Sequence, residues 1–309
     1  MKRLRLLSAL LWAWTPASAA VLADARLSVP TMPVFAAPVA VPALGACALA
    51  PAFAAAPGLS GAASAAPVAA TANGLVRAPD VDAGLAALRR ASYPESEEVA
   101  RLVAAIKEAH PELPISAQNL FLIRDPAMLA QLDIPESAAG AARIVTDGRR
   151  EAPVVILVAA HGVALDAFVE FAVHEAVHLM DDGILRVGHD QLLKHFFAEG
   201  WTQMRAVTLA NDALSALGRP LTPGHAYHKE IALVDVFSNR HGTSALDALV
   251  REGSDAGLRA ALGARWDLAG RLASAPAARE KRLNALIALV NADAVGPEDE
   301  RALLDYVGL

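Results

Sequence analysis

Hydrophobic and polar positions settle into a structural period only from Asp80 onward. Residues 81–91 and 95–109 carry apolar side chains at helical spacing, and Pro94 followed by Glu95 and Glu97 suits a helix start, which predicts two amphipathic helices. Residues 119–123 form a short apolar run after Pro114 and read as a strand. Two further β-rich runs, 142–146 and 153–158, are joined through Asp147-Gly148-Arg149-Arg150. Asp-Gly supplies the positive φ of a tight turn, so this pair predicts a hairpin. A long apolar helix is expected over 164–180, closed by Asp181-Asp182-Gly183, and another over 190–217, stopped by Gly218 and Pro220. The rest is helical in pattern, over 227–240, 244–251, 258–262, 268–273, 277–291 and 297–306. No fixed repeat is visible. Strands precede helices, which predicts an α+β fold and argues against a doubly wound parallel sheet.

The first part of the chain has a different composition. Residues 1–79 hold 26 Ala and 9 Pro, with no charged residue between Leu27 and Val76. Lys2, Arg3 and Arg5, the apolar run 6–14 and Ala17-Ser18-Ala19 match the three parts of an export signal, so residues 1–19 are read as a signal peptide and the protein as a bacterial periplasmic or secreted one. Residues 20–79 read as an Ala/Pro tether, because six prolines between 30 and 57 forbid a long helix and with it a membrane span. Leu44-Gly45-Ala46-Cys47 resembles a lipobox, which would put a lipid anchor on Cys47, but it lies far from Met1 and no basic run precedes it.

Separating the two parts changes the charge. Residues 1–79 hold five basic and one acidic residue, leaving 22 basic against 32 acidic from Asp80 on, a net of −10 where the whole chain has −6. Such a surface argues against a nucleic-acid partner. The single cysteine excludes an internal disulfide and any Cys-cluster metal site. A metal here must be held by His and carboxylate.

Such ligands are present in His174-Glu175-Ala176-Val177-His178, in the middle of the first long helix. Residues at i and i+4 lie one above the other on a helix face, so two imidazoles converge, forming half of a tetrahedral zinc site. Glu175 projects about 100° round the axis. From there it can serve a metal-bound water as general base rather than ligate the metal. A third ligand is needed. The metzincin spacing fails, because Asp181 and Ile184 stand where Gly and His are required. Glu199, in Phe197-Ala198-Glu199-Gly200-Trp201-Thr202, is the first candidate: twenty residues separate it from His178, enough to close one helix and return on the next. His195, one turn earlier, is a supporting partner or rival ligand, and Asp181, Asp182 and His189 are further rivals.

At these residues the chain resembles the gluzincin (HExxH…Glu) zinc metallopeptidases, and among them the small bacterial peptidase-MA-like domains. The resemblance runs over about residues 115–275 through His174, Glu175, His178 and Glu199-Gly200-x-Thr202, then Tyr227, Ala232-Leu233-Val234-Asp235, His241-Gly242, Leu246, Leu249 and residues 258–263. It implies a zincin-like domain over 80–309 with a helical C-terminal subdomain from about 220, one Zn2+ per chain and a peptide or protein substrate. It also implies that the strand just before the zinc helix is an edge strand across the substrate cleft. Tyr227, or else His225 or His228, would stabilise the oxyanion, since these lie where such folds close the cleft. Gln203 departs from the family, standing where thermolysin-like enzymes carry an acid. The expected function is an exported zinc endopeptidase; the alternative is a zinc-binding pseudoenzyme or periplasmic interaction module.

Overall fold

The computed structural model describes residues 69–70, 74–93, 97–135, 138–158, 165–187, 192–218 and 227–309. The signal segment 1–19, the Cys47 motif and the tether up to residue 68 lie outside the described residues. In chain order the elements are β1 (Ala69–Ala70), β2 (Leu75–Arg77), α1 (Val81–Ala91), α2 (Glu97–Ala109), β3 (Leu120–Ile123), α3 (Pro126–Gln131), β4 (Gly140–Thr146) and β5 (Glu151–Val158). Helices follow: α4 (Leu165–Met180), α5 (Gly183–Val187), α6 (Leu192–Ala216), α7 (His228–His241), α8 (Ser244–Glu252), α9 (Ala256–Leu262), α10 (Trp266–Ala273), α11 (Arg279–Asn291) and α12 (Pro297–Val307). The fold is α+β and mainly helical.

Val154-Val155-Ile156-Leu157 is an unbroken apolar run because β5 is covered on both faces. Val155 and Leu157 join Ala142 and Ile144 of β4 on one face, under α2 and α4. Val154 and Ile156 join Ala141 and Val145 on the other, under Leu88 of α1 and Met128 and Leu129 of α3. The sheet has the order β1-β2-β4-β5-β3: four principal strands, with the two-residue β1 antiparallel at the rim. It is mixed, with β2 parallel to β4, β3 parallel to β5, and β4 antiparallel to β5. The expected hairpin forms, with Gly148 at φ 87° and the Asp147 carboxylate accepting from the backbone N–H of Arg149 and Arg150 at 2.8 and 2.7 Å.

Two expectations are corrected. The tether does not run to residue 79, since 69–70 and 75–77 are strands; three residues are too few for periodicity to reveal. The strand before the long helix, β5, is interior, flanked by β4 and β3. Edge character falls instead on the first half of β4, since among the described residues β2 pairs only with Ile144, Val145 and Thr146. Asp181-Asp182-Gly183 closes α4 as its composition predicts, and Gly183 at once opens the short α5.

Helix α4 is apolar on nearly every side because it is central, held between the sheet and α6. The C-terminal helices share its core rather than building their own, with Leu233, Phe237, Leu249, Leu286 and Val307 in the same apolar cluster as Val173 and Phe197. No described helix is long and apolar enough to cross a membrane. Close approach of α6 and α7 depends on Gly200: a Cβ there would overlap the Glu230 carbonyl and stand 2.8 Å from Val234 Cγ2. Helical backbone cannot yield as a flexible side chain does. Gly200→Ala should therefore destabilise the domain by about 2–3 kcal/mol, as overpacking does, read as a lower Tm in thermal denaturation. An unchanged Tm would show that α7 is not seated on Gly200.

Candidate metal centre

On α4 the i, i+4 spacing brings His174 and His178 together, with ring centroids 4.7 Å apart and Nε2 atoms at 3.1 Å. Helix α6, packed along α4, delivers Glu199 to the same point. Its Oε2 lies 3.1 Å from His174 Nε2 and its Oε1 lies 3.4 Å from His178 Nε2. Ligand atoms of these three buried residues all fall within 4.8 Å of one another, so the group could hold a metal ion. The other ring nitrogens are also engaged. His174 Nδ1 is 2.7 Å from Gln203 Oε1, and His178 Nδ1 is 3.4 Å from the Thr202 hydroxyl. Gln203 in turn donates its amide N–H to Glu170.

Electrostatics show what the pocket selects. Burial opposes charge on His174, yet hydrogen bonding to Glu199 and the charges of Glu175 and Glu199 outweigh it and raise the imidazole to about 9. Burial likewise works against the Glu199 carboxylate, but His178 and His174 hold it well below the usual range. Burial pushes Glu170 upward, opposed by the Gln203 amide and by His174. Two imidazoles among Glu199, Glu175 and Glu170 make a site that favours positive charge. Two nitrogen donors and a carboxylate oxygen suit a borderline transition ion.

No protein-family model, curated protein or solved structure matches this chain. What the site can do therefore follows from its own residues.

Glu175 turns to the sheet instead of to α6. Its carboxylate accepts from the backbone N–H of Ala142, in the half of β4 that β2 does not pair among the described residues, and burial raises its pKa, against the pull of His174 and His178. Arg143, also on β4, lies within electrostatic reach and donates to the carbonyls of Leu132, Asp133 and Ala142. On the α7 side, the Tyr227 ring stacks on His174 with centroids 5.2 Å apart and planes 6° from parallel. Burial, then the charges of Glu199 and Glu175, raises the Tyr227 phenol, so it keeps its proton and hydrogen-bonds Glu199. Tyr227 holds φ 56°, a left-handed conformation that costs a bulky residue free energy and is concentrated at functional sites. The Arg279 guanidinium sits over the same ring at 5.2 Å and is anchored through Nε to the buried Glu230 at 2.7 Å.

The rival ligands have other partners. Asp181 pairs with Arg205 and, at 3.2 Å, with Arg251, tying the end of α4 to α6 and α8. Asp182 pairs with Arg186 at 2.6 Å. His195 Nδ1 approaches Glu199 Oε1 only to 3.6 Å and lies outside the three-residue group. His228 is exposed at the start of α7, and His189 and His225 lie outside the described residues. Sequence reasoning missed Glu170 and Arg143. Glu170 stands one turn before His174 on the same helix face, a spacing that could have found it. Arg143 carried no such signal.

The chain should take up one divalent transition ion per molecule. His178→Ala and Glu199→Ala should weaken uptake at least a hundredfold, whereas Asp181→Asn should retain it. Equilibrium dialysis with metal analysis checks this, and retention in Glu199→Ala with loss in Asp181→Asn would reassign the third ligand.

Proposed function

We propose that this chain is an exported zinc-dependent metallopeptidase of gluzincin type that hydrolyses peptide bonds in a peptide or protein substrate. The observation that carries the reading is the division of α4. His174 and His178 meet Glu199 on one side, while Glu175, the residue between them in sequence that does not join the group, is buried beside it on another. A metal-binding pair does not by itself need a carboxylate so placed, but a general base does.

Zinc, when bound, lowers the pKa of water and polarises a carbonyl. Everything else falls to the protein. Glu175 takes a proton from the attacking water and returns it to the leaving amine, its orientation set by the Ala142 N–H. With substrate bound, the Tyr227 hydroxyl, which keeps its proton, turns its single O–H from Glu199 to the oxyanion that develops on the scissile carbonyl. Of the half of β4 that β2 does not pair among the described residues, Ala142 is engaged by Glu175 and Arg143, which leaves the main-chain groups of Gly140 to meet an extended peptide beside Glu175. No side chain at residue 140 intrudes: a Cβ there would come within 3.1 Å of Glu175 Cγ. The basic, apolar and small-residue pattern of residues 1–19 supports export.

Glu175→Gln should keep one metal ion but lose kcat on an unfolded protein or peptide library by about 10²–10⁴-fold, the range of general-base catalysis. Tyr227→Phe should lower kcat about 10²-fold with KM little changed. Undiminished hydrolysis by the Glu175→Gln variant would sink the mechanism. Metal uptake without hydrolysis in the parent protein would instead assign a metal-binding interaction module.

A further inference from the structure

Behind the ligands runs a second, wholly buried chain of polar groups. Glu170 and His174 lie one turn apart on α4, and Glu199 and Gln203 lie one turn apart on the facing α6. Gln203 bridges the helices, its Oε1 2.7 Å from His174 Nδ1 and its Nε2 donating to Glu170 Oε1. Glu170, Gln203 and His174 are each no more than 3 % exposed, so bulk water offers them little substitute hydrogen bonding.

We infer that Glu170 and Gln203 form a tautomer lock on His174: Glu170 fixes which way the Gln203 amide points, and Gln203 thereby holds a His174 proton on Nδ1, so that Nε2, which faces His178 and Glu199, is the nitrogen that gives up its proton to a metal. This rests on reading His174 as a metal ligand. A carboxylate only accepts hydrogen bonds, so the donating end of the amide must face Glu170 and the accepting end must face His174. The flipped amide would set its oxygen against the Glu170 carboxylate and its N–H group against Nδ1, in an interior that cannot hydrate either. A neutral imidazole carries one proton. Nε2 shares a proton with the Glu199 carboxylate at 3.1 Å; once a metal displaces that proton, the one donated from Nδ1 to Gln203 Oε1 stays in place and Nε2 is the bare nitrogen a metal requires.

His178 is held differently. Its Nδ1 faces the Thr202 hydroxyl at 3.4 Å, and a hydroxyl both donates and accepts, so it selects no tautomer. The lock acts on one ligand. A direct acid at position 203 would orient His174 as well, but would bring a further negative charge against a site that already holds Glu199 and Glu175. The amide instead keeps the charge of Glu170 one side chain further away.

The test is a charge swap read through zinc affinity, by competition with a chromophoric chelator, and through the ring ¹⁵N shifts of His174 in the zinc-loaded protein. Gln203→Met removes the bridge and should weaken zinc binding about 10–100-fold. Glu170→Gln is isosteric and leaves the bridge free to flip, so it should weaken binding by about tenfold and broaden the His174 ring signals. The double variant Glu170→Gln/Gln203→Glu rebuilds the lock in mirror image, with a carboxylate accepting from Nδ1 and an amide donating to that carboxylate. It should return to within about threefold of the parent. Parent-like affinity in both single variants, or no recovery in the swap, overturns the lock alone. A parent protein that takes up no zinc overturns the metal reading with it.

Discussion

An ionised carboxylate in the interior is the constraint on which the arrangement turns. Glu199 is buried among apolar residues of α4 and α6, and removing a carboxylate from water costs several kcal/mol unless it is paired and hydrogen-bonded. His174, His178 and Tyr227 supply that compensation. Each comes from an element whose placement is fixed by packing rather than by the site. Helix α4 is clasped between sheet and α6, while Tyr227 is set by the approach of α7 that Gly200 permits. The polar group and the apolar core therefore depend on each other. Loosening α6 against α7 would move Tyr227 and leave Glu199 with fewer partners.

A second buried carboxylate follows a related logic. Asp181 lies immediately past α4 and is paired with Arg205 and Arg251. These pairs bind the C-terminal end of α4 to α6 and α8, so the register between the two ligand-bearing helices is held at the site and again beyond it. A slip of one residue along either helix would rotate a ligand by about 100° and destroy the convergence.

The sequence made some of this legible. Helical spacing alone brings His174 and His178 together, since i, i+4 geometry is local. Glu199 was reachable because a chain that ends one helix and starts the next within twenty residues can return to its neighbour. The sheet order was not legible. Whether β5 is interior depends on β3 pairing beside it from thirty residues upstream, and no local pattern records that. Helix α3 escaped although Asp125 and Pro126 are an N-cap and first-turn signal, because six residues show too little period. Gln203 was visible as an anomaly, but its meaning required Glu170, on another helix, to be seen across from it.

The distribution of roles round α4 has a consequence for how this site could be altered. Residues 170, 174 and 178 recur every four positions and face α6, so one stripe of the helix carries both imidazoles and the carboxylate tied through Gln203 to one of them. Glu175 lies about 100° away and is governed by β4 through Ala142 and Arg143. The geometry of the His174, His178 and Glu199 group is thus set mainly by the α4–α6 interface, and the environment of Glu175 mainly by the α4–β4 interface. Changes in β4 therefore act first on Glu175, and changes along α6 act first on the His174, His178 and Glu199 group. The polar stripe facing α6 and the carboxylate facing β4 are thus supported by two separate packing interfaces of one helix.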